Sequence, residues 1–234
     1  MCSHYTALKK QGQLEKYFRA RGIPLPPKSD MWPRYQGPFI RRPPEHDSGD
    51  EAVPEREAVI GRWGMIAPGT PPEKLAKAEK IPTFNAKSET ADKLWTFRLA
   101  WQHGRRCIIP AEAIFEPDWR SGKAVATRFT RADGAPLGIA GMWDRYRDAT
   151  GQWQESYTML TINADKDPLF QNYNQAGKEK RMVVILPEGA YADWLTAPVE
   201  DTRDFLVPYP SDRLVATPVP PKAPAQPAQD FEEG

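Results

Sequence analysis

The sequence is poor in the residues that build metal centres and disulfide frameworks. In 234 residues it has only two cysteines, Cys2 and Cys107, and three histidines, His4, His46 and His103. None of them shows the spacing that structural zinc requires, and no glycine-rich phosphate loop is present. We therefore expect no metal site and no cofactor. A reducing compartment disfavours a disulfide, so we expect two free thiols.

The chain also lacks long apolar runs and a strong charge of either sign. No apolar run approaches the roughly 20 residues that span a bilayer, and the first residues lack the charged-then-apolar pattern of a secretory signal. We therefore expect a cytoplasmic protein with no membrane partner, and a monomer. The formal net charge is only +1, so any contact with nucleic acid must come from a local basic patch.

The residues that are present suffice for one sizeable core, with 40% hydrophobic residues and eight tryptophans. Short strand-like runs predict strands at 58–63, 107–109, 113–115, 124–129, 137–143, 157–162 and 182–186. Helical spacing is weaker and falls at 6–21, 72–80, 89–101 and 188–195. Many strands with few, scattered helices predict an α+β fold, a single domain built on a largely antiparallel sheet.

Two proline-rich segments interrupt these patterns. Residues 22–57 hold eight prolines together with arginines and aromatic residues, and a loop of this length is usually functional or mobile. From Pro218 onward the chain has no periodicity, which is typical of disorder. We expect one domain over 2–217 and a disordered tail over 218–234.

Cys2 stands where its chemistry is unlike that of any interior cysteine. Aminopeptidases remove Met1 when residue 2 is small, and the product carries an α-amine next to a thiol. The amine, with an ordinary pKa near 8, is partly neutral at physiological pH and can attack an aldehyde to give an imine. The thiol can then close onto the imine carbon to give a thiazolidine ring.

Further elements support this reading of the first residues. Met1-Cys2-Ser3-His4-Tyr5 resembles the start of the SOS-response-associated peptidase (SRAP) family, the abasic-site processing proteins. Five more elements resemble that family's motifs in the family's order: Arg62-Trp63-Gly64-Met65-Ile66-Ala67-Pro68, Asn85-Ala86-Lys87-Ser88-Glu89-Thr90, Arg106-Cys107-Ile108-Ile109-Pro110-Ala111-Glu112-Ala113-Ile114-Phe115-Glu116, Ala140-Gly141-Met142-Trp143 and Arg181-Met182-Val183-Val184-Ile185-Leu186. The resemblance runs from residue 2 to about residue 196.

The resemblance implies a barrel-like fold and a covalent cross-link between Cys2 and abasic sites in single-stranded DNA, with weak lyase activity and self-maturation. It assigns catalytic roles to Cys2, Asn85 and Glu116. The family has a histidine shortly before its Arg-Met-Pro-Val-Ile-Leu element, and this chain has none there. Asn174 or Glu179 takes that place, and we favour Asn174. Asparagine cannot shuttle a proton near pH 7, so steps that need the histidine are affected.

The resemblance and the local basic and aromatic residues together predict a DNA-binding surface, with single-stranded DNA containing abasic sites as the partner and nucleoid association when it is bound. The candidate contact residues are His4, Arg34, Arg41, Trp63, Lys87, Glu89, Arg105, Arg106, Trp119 and Arg181. Two other functions stay open. One is a cysteine peptidase with an N-terminal nucleophile, and the other is a non-catalytic binder of single-stranded DNA.

Overall fold

A computed structural model describes residues 2–175 and 177–220, and its regular structure is mainly strand. The twelve strands are β1 (Tyr5–Ala7), β2 (Asp30–Met31), β3 (Gln36–Arg41), β4 (Glu57–Trp63), β5 (Asn85–Lys87), β6 (Arg106–Asp118), β7 (Val125–Arg131), β8 (Leu137–Arg147), β9 (Trp153–Asn163), β10 (Arg181–Val183), β11 (Ile185–Leu186) and β12 (Leu214–Pro218).

Five of these strands close into a barrel. The ring runs β3, β4, β9, β8 and β6, and the pairing of β6 with β3 completes it. Only the β4–β9 pair in the ring is parallel, and the other four pairs are antiparallel. The predicted α+β fold with a largely antiparallel, barrel-like sheet is confirmed.

The barrel core is dense because its central strands are buried on both faces. Residues 106–111 of β6 and 137–144 of β8 are buried without interruption. At Gly141 of β8 a Cβ would lie 2.5 Å from the carbonyl oxygen of Thr158 on β9, so the two strands pack this closely only with glycine there. Tyr5 and Tyr157 share a hydrogen bond of 2.6 Å between their buried hydroxyls.

Helices are short and peripheral. The α-helices are α1 (Gly12–Phe18), α2 (Pro72–Ala78), α3 (Arg98–Gln102) and α4 (Tyr191–Thr196). The helix predicted at 72–80 is present as α2, which Pro72 begins at a position where no backbone donor is needed. The helix predicted at 188–195 is present as a 3-10 turn over Glu188–Ala190 that leads into α4.

Three predictions about local structure were wrong in extent. The predicted helix over 6–21 is β1 followed by α1, because Tyr5–Ala7 pairs with β6. The predicted helix over 89–101 consists of turns until α3 begins at Arg98. The predicted loop over 22–57 contains β2 and β3. In the first and third cases pairing across the sheet overrides the local pattern.

The end of the described chain belongs to the domain. Strand β12 pairs with β7 as far as Pro218, and the Val219 N–H donates to the Ala126 carbonyl (2.7 Å). Of the tail predicted at 218–234, the first residues are therefore ordered, and 221–234 lie outside the described residues. Among the described residues, no helix has the length and apolar character needed to cross a bilayer.

Candidate active site at the amino terminus

The position of Cys2 follows from the pairing of β1 with β6. Tyr5 lies opposite Ile114, and the Phe115 N–H donates to the His4 carbonyl (3.0 Å). This antiparallel register leads the first residues toward Glu116. Cys2 is fully buried there, and its thiol donates to the carbonyl of His4 (3.3 Å).

Asn85 holds the backbone of Cys2. Its Nδ2 donates to the Cys2 carbonyl (2.7 Å), and its position is fixed because β5 pairs with β9, with Asn85 opposite Met159. The Oδ1 atom of Asn85 is buried and accepts no hydrogen bond from any residue that the structure describes. The amide therefore keeps an acceptor available beside Cys2.

Glu116 is the buried carboxyl group of the site, with 1% of its surface exposed. Burial raises its pKa to about 7, although a hydrogen bond with Asn174 acts in the opposite direction. Burial and the nearby charge of Glu116 also raise the pKa of the Cys2 thiol to about 12. The thiol is therefore protonated at neutral pH, while Glu116 can both take up and release a proton.

The loop that carries Asn174 is attached to the strand that carries Glu116. Asn174 has a left-handed backbone (φ 66°), which asparagine tolerates better than most residues. Its N–H donates to the Pro117 carbonyl (2.8 Å), and Tyr173 forms a bridge with Asp118. Asn174 thus lies beside Glu116, whereas Glu179 binds Lys87 and Arg181.

The sequence profile described as SOS response associated peptidase (SRAP) matches residues 1–223 of the chain. The chain belongs to this family. The resemblance seen in the motifs is therefore confirmed, and in this SRAP chain the buried Cys2 lies between Asn85 and Glu116.

Similar proteins are known from several bacteria. A crystal structure from Bordetella bronchiseptica is 70% identical, covers 94% of this chain and 100% of that one, and superposes with a TM-score of 0.86. A Bacteroides thetaiotaomicron structure shares the fold at 19% identity, with 97% of each chain covered and a TM-score of 0.78. The abasic site processing protein YedK of Escherichia coli K12 is 27% identical over 161 residues, 61% of this chain and 68% of that one.

The charged rim of the SRAP site is internally paired. Arg181 is 3% exposed, donates to both carboxylate oxygens of Glu89 (2.9 and 2.8 Å) and also binds Glu179 (2.7 Å). Lys87 lies on the same strand as Asn85, is partly exposed and binds Glu179 (2.6 Å). Lys87 and Arg181 are therefore paired with Glu89 and Glu179. A DNA phosphate would have to compete with Glu179 for Lys87.

An aromatic stack borders the same site. The His4 ring lies between Trp32 and Phe115, with ring centroids 4.2 and 4.0 Å away. Trp32 is 45% exposed and offers a face to an incoming base. The role of Phe115 was missed in the sequence, because only the β1–β6 register shows that it faces His4.

The remaining candidates on this side of the molecule lie at the surface. Arg34 has a left-handed backbone (φ 78°) and donates to the Lys80 carbonyl (3.3 Å). Trp119 is half-buried and directly follows β6. Both stay candidates for DNA contact.

Arg41 and Trp63 were predicted to contact DNA, but both side chains are buried. Arg41 is 6% exposed, pairs with Glu57 (2.7 Å) and Glu155 (3.0 Å), and lies over the ring of Trp143. Trp63 is fully buried and donates its indole N–H to the Phe84 carbonyl (3.0 Å). Neither side chain has a surface to offer, so both belong to the core.

Arg105 and Arg106 lie at the wrong end of β6 for the predicted DNA surface. Arg106 is ten residues from Glu116 on this extended strand, roughly 30 Å of chain. It is buried and binds the Thr202 hydroxyl (2.8 Å) and the Ala197 carbonyl, and Arg105 pairs with Asp144. Neither residue therefore belongs to the surface around Cys2. Among the described residues, no group of three or more metal-ligating side chains could hold a metal ion.

Proposed function

We propose that this protein processes abasic sites in single-stranded DNA by forming a covalent bond between Cys2 and the ring-opened sugar, and that it shields the lesion. The observation that carries the proposal is the hydrogen bond of 2.7 Å from Asn85 to the Cys2 carbonyl, which holds the chain start beside the buried Glu116. The relationship to the E. coli abasic site processing protein and SRAP membership support the same substrate.

The first step joins the amine to the aldehyde. After removal of Met1, the neutral α-amine of Cys2 attacks the aldehyde carbon to give a carbinolamine. Loss of water then gives the imine. Glu116 as carboxylate accepts a proton from nitrogen, and as carboxylic acid it returns that proton to the departing hydroxyl. A pKa of about 7 suits both roles at neutral pH.

The second step closes the ring. The Cys2 sulfur bonds to the imine carbon, its proton moves to the nitrogen, and the product is a thiazolidine with no change in redox state. Because the thiol pKa is about 12, sulfur needs a base, and the Glu116 carboxylate is the buried base beside it. The imine also permits β-elimination, so weak strand cleavage accompanies cross-linking.

Peptide hydrolysis is the less favoured alternative. A cysteine peptidase attacks with a thiolate, and such cysteines have a lowered pKa, whereas burial raises that of Cys2. The peptidase function then reduces to removal of Met1 during maturation. A non-catalytic DNA binder would leave the arrangement of Asn85 and Glu116 without a purpose.

An adduct assay tests the proposal. We expect that the protein, mixed with a single-stranded oligonucleotide that contains one abasic site, gives a slow-migrating band that survives denaturation. The matching oligonucleotide without the lesion gives none, and intact mass shows loss of Met1. No band with protein that lacks Met1 would reject covalent chemistry and leave the non-catalytic binder.

Asn174→His is expected to accelerate adduct formation or its reversal by about 100-fold, the low end of general acid–base catalysis. The reason is that Asn174 contacts Glu116 but cannot transfer a proton, whereas imidazole can. A time course of band formation, followed by a chase with excess unlabelled abasic DNA, measures both rates. Glu179→His is the matched control. If only that control speeds either rate, Glu179 holds the histidine position.

A further inference from the structure

A cationic pocket lies at the start of β6, ten residues along that strand from Glu116. It is an open pocket of about 390 Å³ between the segment after β3, the start of β6, strand β8 and the segment after α4. Four arginines and two histidines line it, and among the residues that the structure describes its lining contains no carboxylate: Arg42, His46, His103, Arg105, Arg106 and Arg145.

The charges around the pocket leave it positive. Asp144, fully buried, neutralises Arg105. Asp47 lies 3.1 Å from the His46 ring and 4.0 Å from Arg42, but its side chain is 85% exposed, so both pairs are weak. Arg106 has Asp201 as its acidic neighbour and feels the repulsion of Arg42. Arg145 lies over the ring of Trp153 (5.0 Å) and is near the carboxylate of Glu155, which itself pairs with Arg41.

The pocket is built rather than formed by loose surface side chains. Arg106 is 5% exposed, and its fork is fixed by the Thr202 hydroxyl and the Ala197 carbonyl. Its Nε is buried and has no partner among the described residues. Trp143 forms part of the lining but carries Arg41 over its ring at 3.9 Å. Arg41 covers that face of Trp143, so a nucleobase cannot stack on it, and the ligand is recognised by its charge.

From this geometry we propose that the pocket is a second anion site that takes phosphoryl groups, separate from the site of covalent chemistry. Arginine forks suit phosphate oxygens because they bind in pairs, and more than one phosphoryl group is needed to satisfy several arginines. Free pyrophosphate-type ligands and the phosphodiester backbone of DNA both supply this chemistry. The site does not depend on Cys2 or Glu116.

The experiment uses two probes and a matched pair of variants. Inorganic pyrophosphate is titrated by calorimetry, and an undamaged 20-base-pair duplex by fluorescence anisotropy, both at low salt. The variant R42Q/R145Q removes two lining charges. R147Q is the control, because Arg147 is also exposed on β8 and also lies over Trp153 (4.4 Å) but does not line the pocket.

We expect R42Q/R145Q to weaken binding at least tenfold and R147Q to change it less than twofold, with adduct formation at Cys2 unchanged in both. Loss of pyrophosphate binding identifies a free phosphorylated ligand. Loss confined to the duplex, with a shallower salt dependence, identifies DNA backbone. The proposal is overturned if neither probe binds saturably, or if R147Q weakens binding as much as the double variant.

Discussion

Replacing Cys2 with alanine is expected to abolish the denaturant-resistant adduct on abasic DNA, because the sulfur that closes the ring is lost. The α-amine survives in this variant, because alanine is also small enough for Met1 removal. Any imine that it forms hydrolyses on denaturation, since no sulfur closes the ring. Gel analysis of the band, without reductant, measures the loss.

Cys2→Ser separates the two bonds that the mechanism requires. Its hydroxyl is a poorer ring-closing group, so the stable band disappears as in the alanine variant, while borohydride restores it by reducing the imine. Cys107→Ala is the matched control, because Cys107 is an equally buried free thiol inside the barrel. It should retain full adduct formation. A stable, unreduced adduct with Cys2→Ser would rule out the thiazolidine.

Glu116→Gln is expected to slow adduct formation by roughly 100- to 10,000-fold, the usual contribution of a positioned acid–base group. Glutamine keeps the shape and hydrogen bonding but carries no transferable proton. The pH profile distinguishes this from a structural effect. The wild-type rate should bend near pH 7, where Glu116 titrates, and the variant profile should have no bend there. A bend that persists would assign it to another group.

The same substitution should stabilise the fold at alkaline pH. The pKa of Glu116 rises from an ordinary value of 4.5 to about 7 on folding, so between these values the folded chain holds a proton that the unfolded chain has lost. Stability from this group is full below pH 4.5 and declines until about pH 7. The decline amounts to as much as about 3 kcal/mol. At pH 8, Glu116→Gln should therefore raise the melting temperature, as scanning calorimetry can measure, and a lowered one would contradict the buried charge.

The strands and the position of Glu116 were predictable because both follow from short local patterns in the sequence. Short strand-like runs mark β4, β7, β8 and β9, and Glu116 follows the apolar run of β6. The closure of the barrel could not be predicted from local patterns, because the parallel β4–β9 pair joins segments about 95 residues apart. The barrel was predicted from the resemblance to the SRAP family and could not be predicted from periodicity alone.

The DNA surface was harder to predict, because arginine and tryptophan serve phosphates and cores alike. Arg41 and Trp63 were predicted as contact residues. In the structure Arg41 pairs with Glu57 and Glu155, and Trp63 donates to the Phe84 carbonyl. Arg106 stands near Glu116 in sequence. An extended strand adds about 3.3 Å per residue, however, and so carries the two to opposite ends. Burial and distance are tertiary properties that residue type does not encode.

The anchoring of the chain start has a practical consequence for anyone who purifies this protein. Asn85 grips a backbone carbonyl, so an affinity tag fused ahead of Cys2 leaves that contact possible while it converts the reactive nitrogen into an unreactive amide. Under the proposed mechanism such a preparation is expected to give no adduct. Tags therefore belong at the other terminus, and a negative result from a front-tagged sample does not test the proposed chemistry.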